Sequence, residues 1–127
     1  MKPRGLLLDT HVVLWWRADD PRLGRAAREA IAIADFVHVS AASVWEAGIK
    51  MRLGRLRLPE PFAKGVADSG FSELPVRFAH AERAAELPGH HDDPFDRMLI
   101  AQAQVEGLTL VTQNRVIWQY DVPVLQA

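Results

Sequence analysis

The stretch Leu6-Leu7-Leu8-Asp9-Thr10-His11 sets an apolar triplet directly against an acid and a helix start. Three leucines without polar alternation suit a short strand buried on both faces, the habit of a parallel sheet. From Thr10 to Arg17 the sequence predicts a helix, with Thr10 as its cap. The same grammar repeats outward. Asp19-Asp20-Pro21 breaks the chain before a helix from about Leu23 to Ala34, with Arg22, Arg25 and Arg28 along one side. Val37–Val39 reads as a strand ended by Ser40, and Ala42–Arg52 as a helix stopped by Gly54. Leu58-Pro59-Glu60-Pro61 opens a further helix that ends at Gly70, and Phe71–Leu74 is a strand closed by Pro75. A helix from Arg77 to Leu87 stops at Pro88-Gly89. Pro94 occupies the first turn of a helix running to Glu106, with Gly107 behind it. Leu108–Val111 is a strand, Arg115–Tyr120 a short helix and Val122–Leu125 a last strand. Short apolar strands alternating with helices indicate an α/β domain with a mainly parallel sheet.

The chain of 127 residues has no repeat, low-complexity tract or linker, so one domain over residues 1–127 is expected. It contains no Cys, which excludes disulfides, a thiolate zinc site and a cysteine nucleophile. No apolar run reaches the ~20 residues of a membrane span. The basic Met-Lys-Pro-Arg-Gly start is followed by an apolar stretch that Asp9 and His11 interrupt, so no cleavable signal is expected and the protein reads as soluble and cytoplasmic. Net charge is −1, so attraction to a polyanion must come from local basic patches or bound cations.

Ligands of open α/β sheets bind outside the carboxyl ends of the strands. Asp9 follows the first strand directly, and Thr112-Gln113-Asn114 follows the Leu108–Val111 strand on the same side. Glu46 sits early on the helix after the second strand. Asp93 and Asp96 lie at the start of the helix that begins with Pro94. Singly, each has an ordinary structural role. Asp9 and Asp93 suit helix caps, Glu46 with Lys50 is an i,i+4 pair, and Asp96 adjoins Arg97. Together they bring acids from distant parts of the sequence to one sheet edge. Like charges in one pocket destabilise the fold unless a cation sits among them, and no cluster of Lys is at hand. Oxygen donors without Cys select Mg²⁺ or Mn²⁺ rather than zinc. Such a centre suits metal-assisted phosphodiester hydrolysis.

Four ordered segments then carry a resemblance. Leu6-Leu7-Leu8-Asp9-Thr10-His11, Ser40-Ala41-Ala42-Ser43-Val44-Trp45-Glu46, His90-His91-Asp92-Asp93-Pro94-Phe95-Asp96-Arg97 and Leu110-Val111-Thr112 resemble PIN-domain proteins, and more narrowly the VapC-type toxins of bacterial toxin–antitoxin pairs. The likeness extends through Arg52-Leu53-Gly54-Arg55-Leu56 and the closing Tyr120–Leu125 segment. It implies a three-layer α/β/α fold around about five strands. It also implies a Mg²⁺- or Mn²⁺-dependent endoribonuclease that restrains translation by cutting RNA, is silenced by a cognate antitoxin, and forms a homodimer. Carried over by position, Asp9, Glu46 and Asp96 are the three acids. Asp9 and Asp96 would be the main metal ligands, and Glu46 would bind metal through water or position hydroxide. Asp93 is a secondary candidate. The chain departs at Asn114, where the family often has an acid, and this puts a second metal in doubt. Asp92 stands where a basic residue is common.

Other residues have competing readings. His90 and His91 could form a metal-free acid–base pair, but their place after Pro88-Gly89 suits loop residues at the entrance. Trp15, Trp16, Trp45 and Trp118 are spread over helices in a manner expected of core packing, and one of the adjacent pair should face outward to a dimer or antitoxin contact. Arg52, Arg55 and Arg57 bracket Gly54 as a solvated basic turn or an RNA-backbone contact. Thr112 is expected to hydrogen-bond a ligand carboxylate. Arg97 suits a phosphate contact or an ion pair. Besides the nuclease, two functions fit an α/β sheet with acids at one edge. A phospho-acceptor signalling domain would need an acidic pair after the first strand and a Lys after the last, where this chain has single Asp9 and Gln126-Ala127. A non-catalytic PIN-like scaffold with a degenerate metal site finds encouragement only in Asn114.

Overall fold

The central strand is β1 (Leu6–Leu8), which pairs in parallel with β2 (Val37–Ser40) on one side and β4 (Thr109–Thr112) on the other. β3 (Ser72–Leu74) and β5 (Val124–Gln126) complete a five-stranded sheet of order β3-β2-β1-β4-β5, parallel throughout. The computed structural model describes residues 5–127, so the basic residues 1–4 lie outside it. Among the described residues six α-helices connect the strands: α1 (Thr10–Ala18), α2 (Arg25–Ile33), α3 (Ala41–Arg52), α4 (Phe62–Asp68), α5 (Phe78–Glu86) and α6 (Pro94–Glu106).

The apolar triplet explains the layering. Alternate side chains of a strand point to opposite faces. Leu6 and Leu8 therefore pack with Val12, Val13, Ala27 and Ile31 of α1 and α2, whereas Leu7 packs with Leu99, Ile100 and Ala103 of α6. Both sheet faces are covered, giving the three-layer α/β/α arrangement. The chain runs outward from β1 through β2 to β3, then crosses back to lay β4 on the other flank of β1. That reversal opens a crevice beyond the carboxyl ends of β1 and β4, where open α/β sheets bind ligands.

Capping chemistry moves several element ends from their expected places. Asp9, not Thr10, caps α1: its backbone is extended and its side chain accepts from His11 N at 2.7 Å. Thr10 becomes the first helical residue and its hydroxyl is released for another bond. Ser40 caps α3 through Ala42 N, so that helix begins at Ala41. The amide of Leu108 turns back to Ala103 O, closing α6 at Gly107 (φ 70°) and delaying β4 to Thr109. Leu23 N bonds Asp20 O in a turn, which holds the start of α2 back to Arg25. Pro59 and Pro61 keep the fourth helix from starting before Phe62. The Arg115–Tyr120 segment tightens into a 3₁₀ turn (Ile117–Gln119).

The tryptophans do not all enter the core. Trp15 and Trp16 are both half-buried against the α1 layer, so neither faces fully outward. Trp16 lies 5.8 Å from the Phe71 ring, and the Arg22 guanidinium covers Trp15 at 5.4 Å. Trp45 and Trp118 overturn the core-packing expectation, being 67% and 38% exposed. Among the described residues no helix is long and apolar enough to cross a membrane.

Candidate metal centre

Asp9 leaves β1 at its carboxyl end with its amide bonded to Val111 O of β4, so the backbone itself fixes the acid at the crevice. One carboxylate oxygen, Oδ1, caps α1; the other, Oδ2, accepts from Thr112 Oγ1 at 2.7 Å. The acid is buried, with 7% of its surface exposed. Burial pushes its pKa up, but the donors His11 and Thr112 outweigh that and hold the carboxyl below its ordinary value. Thr112 thus takes the carboxylate-orienting place expected of it.

The same hydroxyl carries the contact onward. Asn114 N donates to Thr112 Oγ1 at 3.0 Å, and Asn114 Nδ2 donates to Asp96 Oδ2 at 3.2 Å. A continuous path, Asp9–Thr112–Asn114–Asp96, therefore spans the crevice. Asp96 stands in the first turn of α6, where its environment acts opposite to that of Asp9. Burial first, then the charges of Asp93 and Asp9, raise its pKa against the lowering contact of His91. The His91 Nε2 to Asp96 Oδ2 distance is 2.7 Å. Asp93 caps α6, its Oδ1 accepting from Phe95 N and Asp96 N, and this fixes the backbone that carries Asp96.

Glu46, on α3, is 8% exposed and engaged at both oxygens. Thr10 Oγ1 donates to Oε1 at 2.6 Å, and Lys50 Nζ lies 3.1 Å from Oε2. Thr10 neighbours Asp9, so the third acid is held one residue away from the first by a bond across helices α1 and α3. Among the described residues, the group of three whose donor atoms all lie within 4.8 Å of one another is His91, Asp93 and Asp96, rather than Asp9, Glu46 and Asp96.

This donor set fits a hard divalent cation. It is built of carboxylate oxygens with one imidazole, while Asn114 turns its amide NH2 to Asp96 and its Oδ1 to Val116 N; burial, then the neighbouring Asp93 and Asp9, raise the Asp96 carboxyl. Lys50 offsets Glu46 alone. A cleft of about 390 Å³ opens beside Asp9, lined by His11, Val12, Trp15, Arg22, Gln113 and Asn114. A second cavity, of about 200 Å³ between α1 and α4, touches none of the three acids.

Three features were not drawn from the sequence. Thr10, read as a cap, instead grips Glu46. His91 parts from His90, whose ring packs edge-on against Tyr120 at 5.1 Å, so the two do not face one substrate. The spacing of His91 ahead of a capped helix that carries an acid in its first turn was the available signal. Among the described residues Arg97 pairs with no acid: its guanidinium donates to the carbonyls of Ala84, Leu87, Pro88 and His91, pinning the loop that delivers His91.

The PIN domain family model matches residues 6–123. The chain is 35% identical over 117 residues to Ribonuclease VapC22 of Mycobacterium tuberculosis, covering 87% of each protein. Its fold is similar to VapBC2 of Rickettsia felis bound to a promoter DNA fragment (TM-score 0.72, 14% identity, 96% of this chain and 98% of that one). It is also similar to a toxin–antitoxin complex of Klebsiella pneumoniae (TM-score 0.66, 21% identity, 94% and 95% covered).

Proposed function

The chain belongs to the PIN-domain family, and from that premise we propose that it is a metal-dependent endoribonuclease toxin restrained by a cognate antitoxin. The observation that carries the reading is the hydrogen-bonded path from Asp9 through Thr112 and Asn114 to Asp96 across the β1–β4 crevice. It couples acids from opposite ends of the sequence at the place where such sheets bind ligands. The substrate is RNA, the working form is a cytoplasmic homodimer, and the antitoxin blocks the cleft.

Asp9 and Asp96 would hold Mg²⁺ or Mn²⁺, with Glu46 acting through water and Asp93 and His91 setting the position of Asp96. The ion supplies an activated water and neutralises charge on the phosphate oxygens when bound. The protein's own residues do the rest. Thr112 holds Asp9 ionised and in one orientation, and Asn114 fixes Asp96 Oδ2 while adding no charge. Glu46, steadied by Thr10 and Lys50, would position the attacking water. Asn114 in place of an acid favours a single ion.

Purified chain, free of antitoxin, is incubated with structured RNA in Mn²⁺ and in EDTA, beside an Asp9→Ala variant. Cleavage in Mn²⁺ that vanishes in EDTA and in the variant is expected. Cleavage surviving EDTA would overturn the metal assignment. No cleavage in any condition would put the non-catalytic scaffold, which the neutral Asn114 favours, ahead.

A further inference from the structure

Helix α3 buries Ala42, Ser43, Glu46 and Ala47, which leaves Trp45 and Arg52 on its outward stripe. These two are seven residues apart, so they share a face and stand about 10 Å apart along the axis. Trp45 directly precedes Glu46. Its ring meets Phe95, the residue before Asp96, edge-on at 5.3 Å, and the indole is still 67% exposed. An aromatic pair of this kind flanks two of the three acids, where burying Trp45 inward would have been the more stable choice. Further along, Arg52 and Arg55 are exposed and form no ion pair among the described residues. Arg17, Arg22, Arg25 and Arg28 each hold a carboxylate, whereas Arg52 and Arg55, like the exposed Arg57, Arg77, Arg83 and Arg115, hold none among the described residues.

We propose that this stripe is a track for single-stranded RNA: Trp45 stacks on a base next to the phosphate at the acidic centre, and Arg52 and Arg55 bind the backbone further along. The inference rests on the ribonuclease reading above and adds to it a path for the substrate. An exposed indole offers a face to any base, and free guanidiniums bind phosphate in forks, so together they give affinity with little sequence choice. A polyanion also fits the charge better than a second copy of this chain. A two-fold contact centred on Arg52 would set the same unpaired cations of the two copies near one another.

The test measures binding, so that it does not depend on turnover. In an Asp96→Asn background, a labelled mixed-sequence single-stranded RNA is titrated and followed by fluorescence anisotropy. Trp45→Ala is expected to weaken binding about 5- to 160-fold, and Trp45→Phe to restore most of it. An abasic RNA of the same length should bind equally well with Trp45 in place and in the Trp45→Ala variant. The pair Arg52→Ala and Arg55→Ala should reduce the slope of log affinity against log salt by about 1.4, the value for two phosphate contacts on a single strand. Sedimentation of each variant is measured in parallel. Unchanged RNA affinity in Trp45→Ala overturns the proposal, and if the dimer dissociates at the same time, Trp45 belongs to a protein interface. If RNA binding follows the expected pattern while the unsubstituted chain cuts nothing in Mn²⁺, the catalytic reading fails and the track stands.

Discussion

Replacing Thr112 by Val keeps the outline of a side chain with no exposed surface and deletes the hydroxyl at the centre of the site. Two hydrogen bonds disappear: the 2.7 Å donation to Asp9 Oδ2 and the 3.0 Å bond accepted from Asn114 N. A bond to a charged group contributes about 1.5–3 kcal/mol and a neutral one about 0.5–1.5 kcal/mol. The buried methyl of Val returns about 0.8 kcal/mol, so a net loss of about 1.2–3.7 kcal/mol is expected in metal-free protein at neutral pH. The pH dependence follows from Asp9. Burial raises its pKa, but the donors His11 and Thr112 prevail and hold it below the ordinary value. A carboxyl depressed in the folded state stabilises fully above its unfolded pKa, about 3.9, and loses that contribution as pH falls through the folded value. The gap between the two proteins should therefore be complete at neutral pH and narrow below about pH 4. Urea unfolding in EDTA across this range measures it, and Mn²⁺ titration calorimetry should show affinity reduced about 10- to 100-fold. Equal stability at neutral pH, or a gap that does not change with pH, would refute the reasoning that Thr112 acts through the ionised Asp9.

Three further outcomes are expected. Mn²⁺ at a hundred times its dissociation constant should stabilise the protein by about 2.7 kcal/mol, and Asp9→Asn should abolish the gain in the same thermal scan. Asp96→Asn should raise the urea midpoint of metal-free protein at neutral pH while ending RNA cleavage. Burial, with Asp93 and Asp9, raises the Asp96 pKa, so its ionisation costs stability as pH climbs through the folded value, and the two midpoints should converge in acid. Arg97→Lys should cost about 1.5–3 kcal/mol, because one ammonium cannot reach the four carbonyls that the guanidinium fork now satisfies, and amide exchange through residues 88–92 should quicken.

The sheet was readable because strands buried on both faces are continuous apolar runs, as at Leu6–Leu8 and Leu108–Val111. The edge position of Asp9 and Thr112 followed from where those runs stop. Their ends were less visible, since a cap is decided by one hydrogen bond: Leu108 looks like a strand residue, but its amide belongs to the close of α6. Contacts between helices were hidden for a different reason. The Thr10–Glu46 bond depends on how α1 crosses α3, and no local pattern records a crossing. His91 reaches Asp96 only because Arg97 holds the preceding loop by its carbonyls, a shape without periodicity. Trp45 was assigned to the core by its chemistry alone. Which stripe of α3 faces the sheet was settled instead by Ala42, Ser43, Glu46 and Ala47.

The pairing of β1 with β4, Leu7 opposite Leu110, joins distant parts of the chain, and the Thr112–Asp9 bond closes a separation of 103 positions. Closing so long a loop is slow and comes after local helices have formed. During synthesis Asp9 leaves the ribosome well ahead of Thr112, with no partner there to orient it, and the acidic centre is assembled only when the later strands emerge. An unfinished chain thus carries Asp9 without the arrangement that joins it to the other acids.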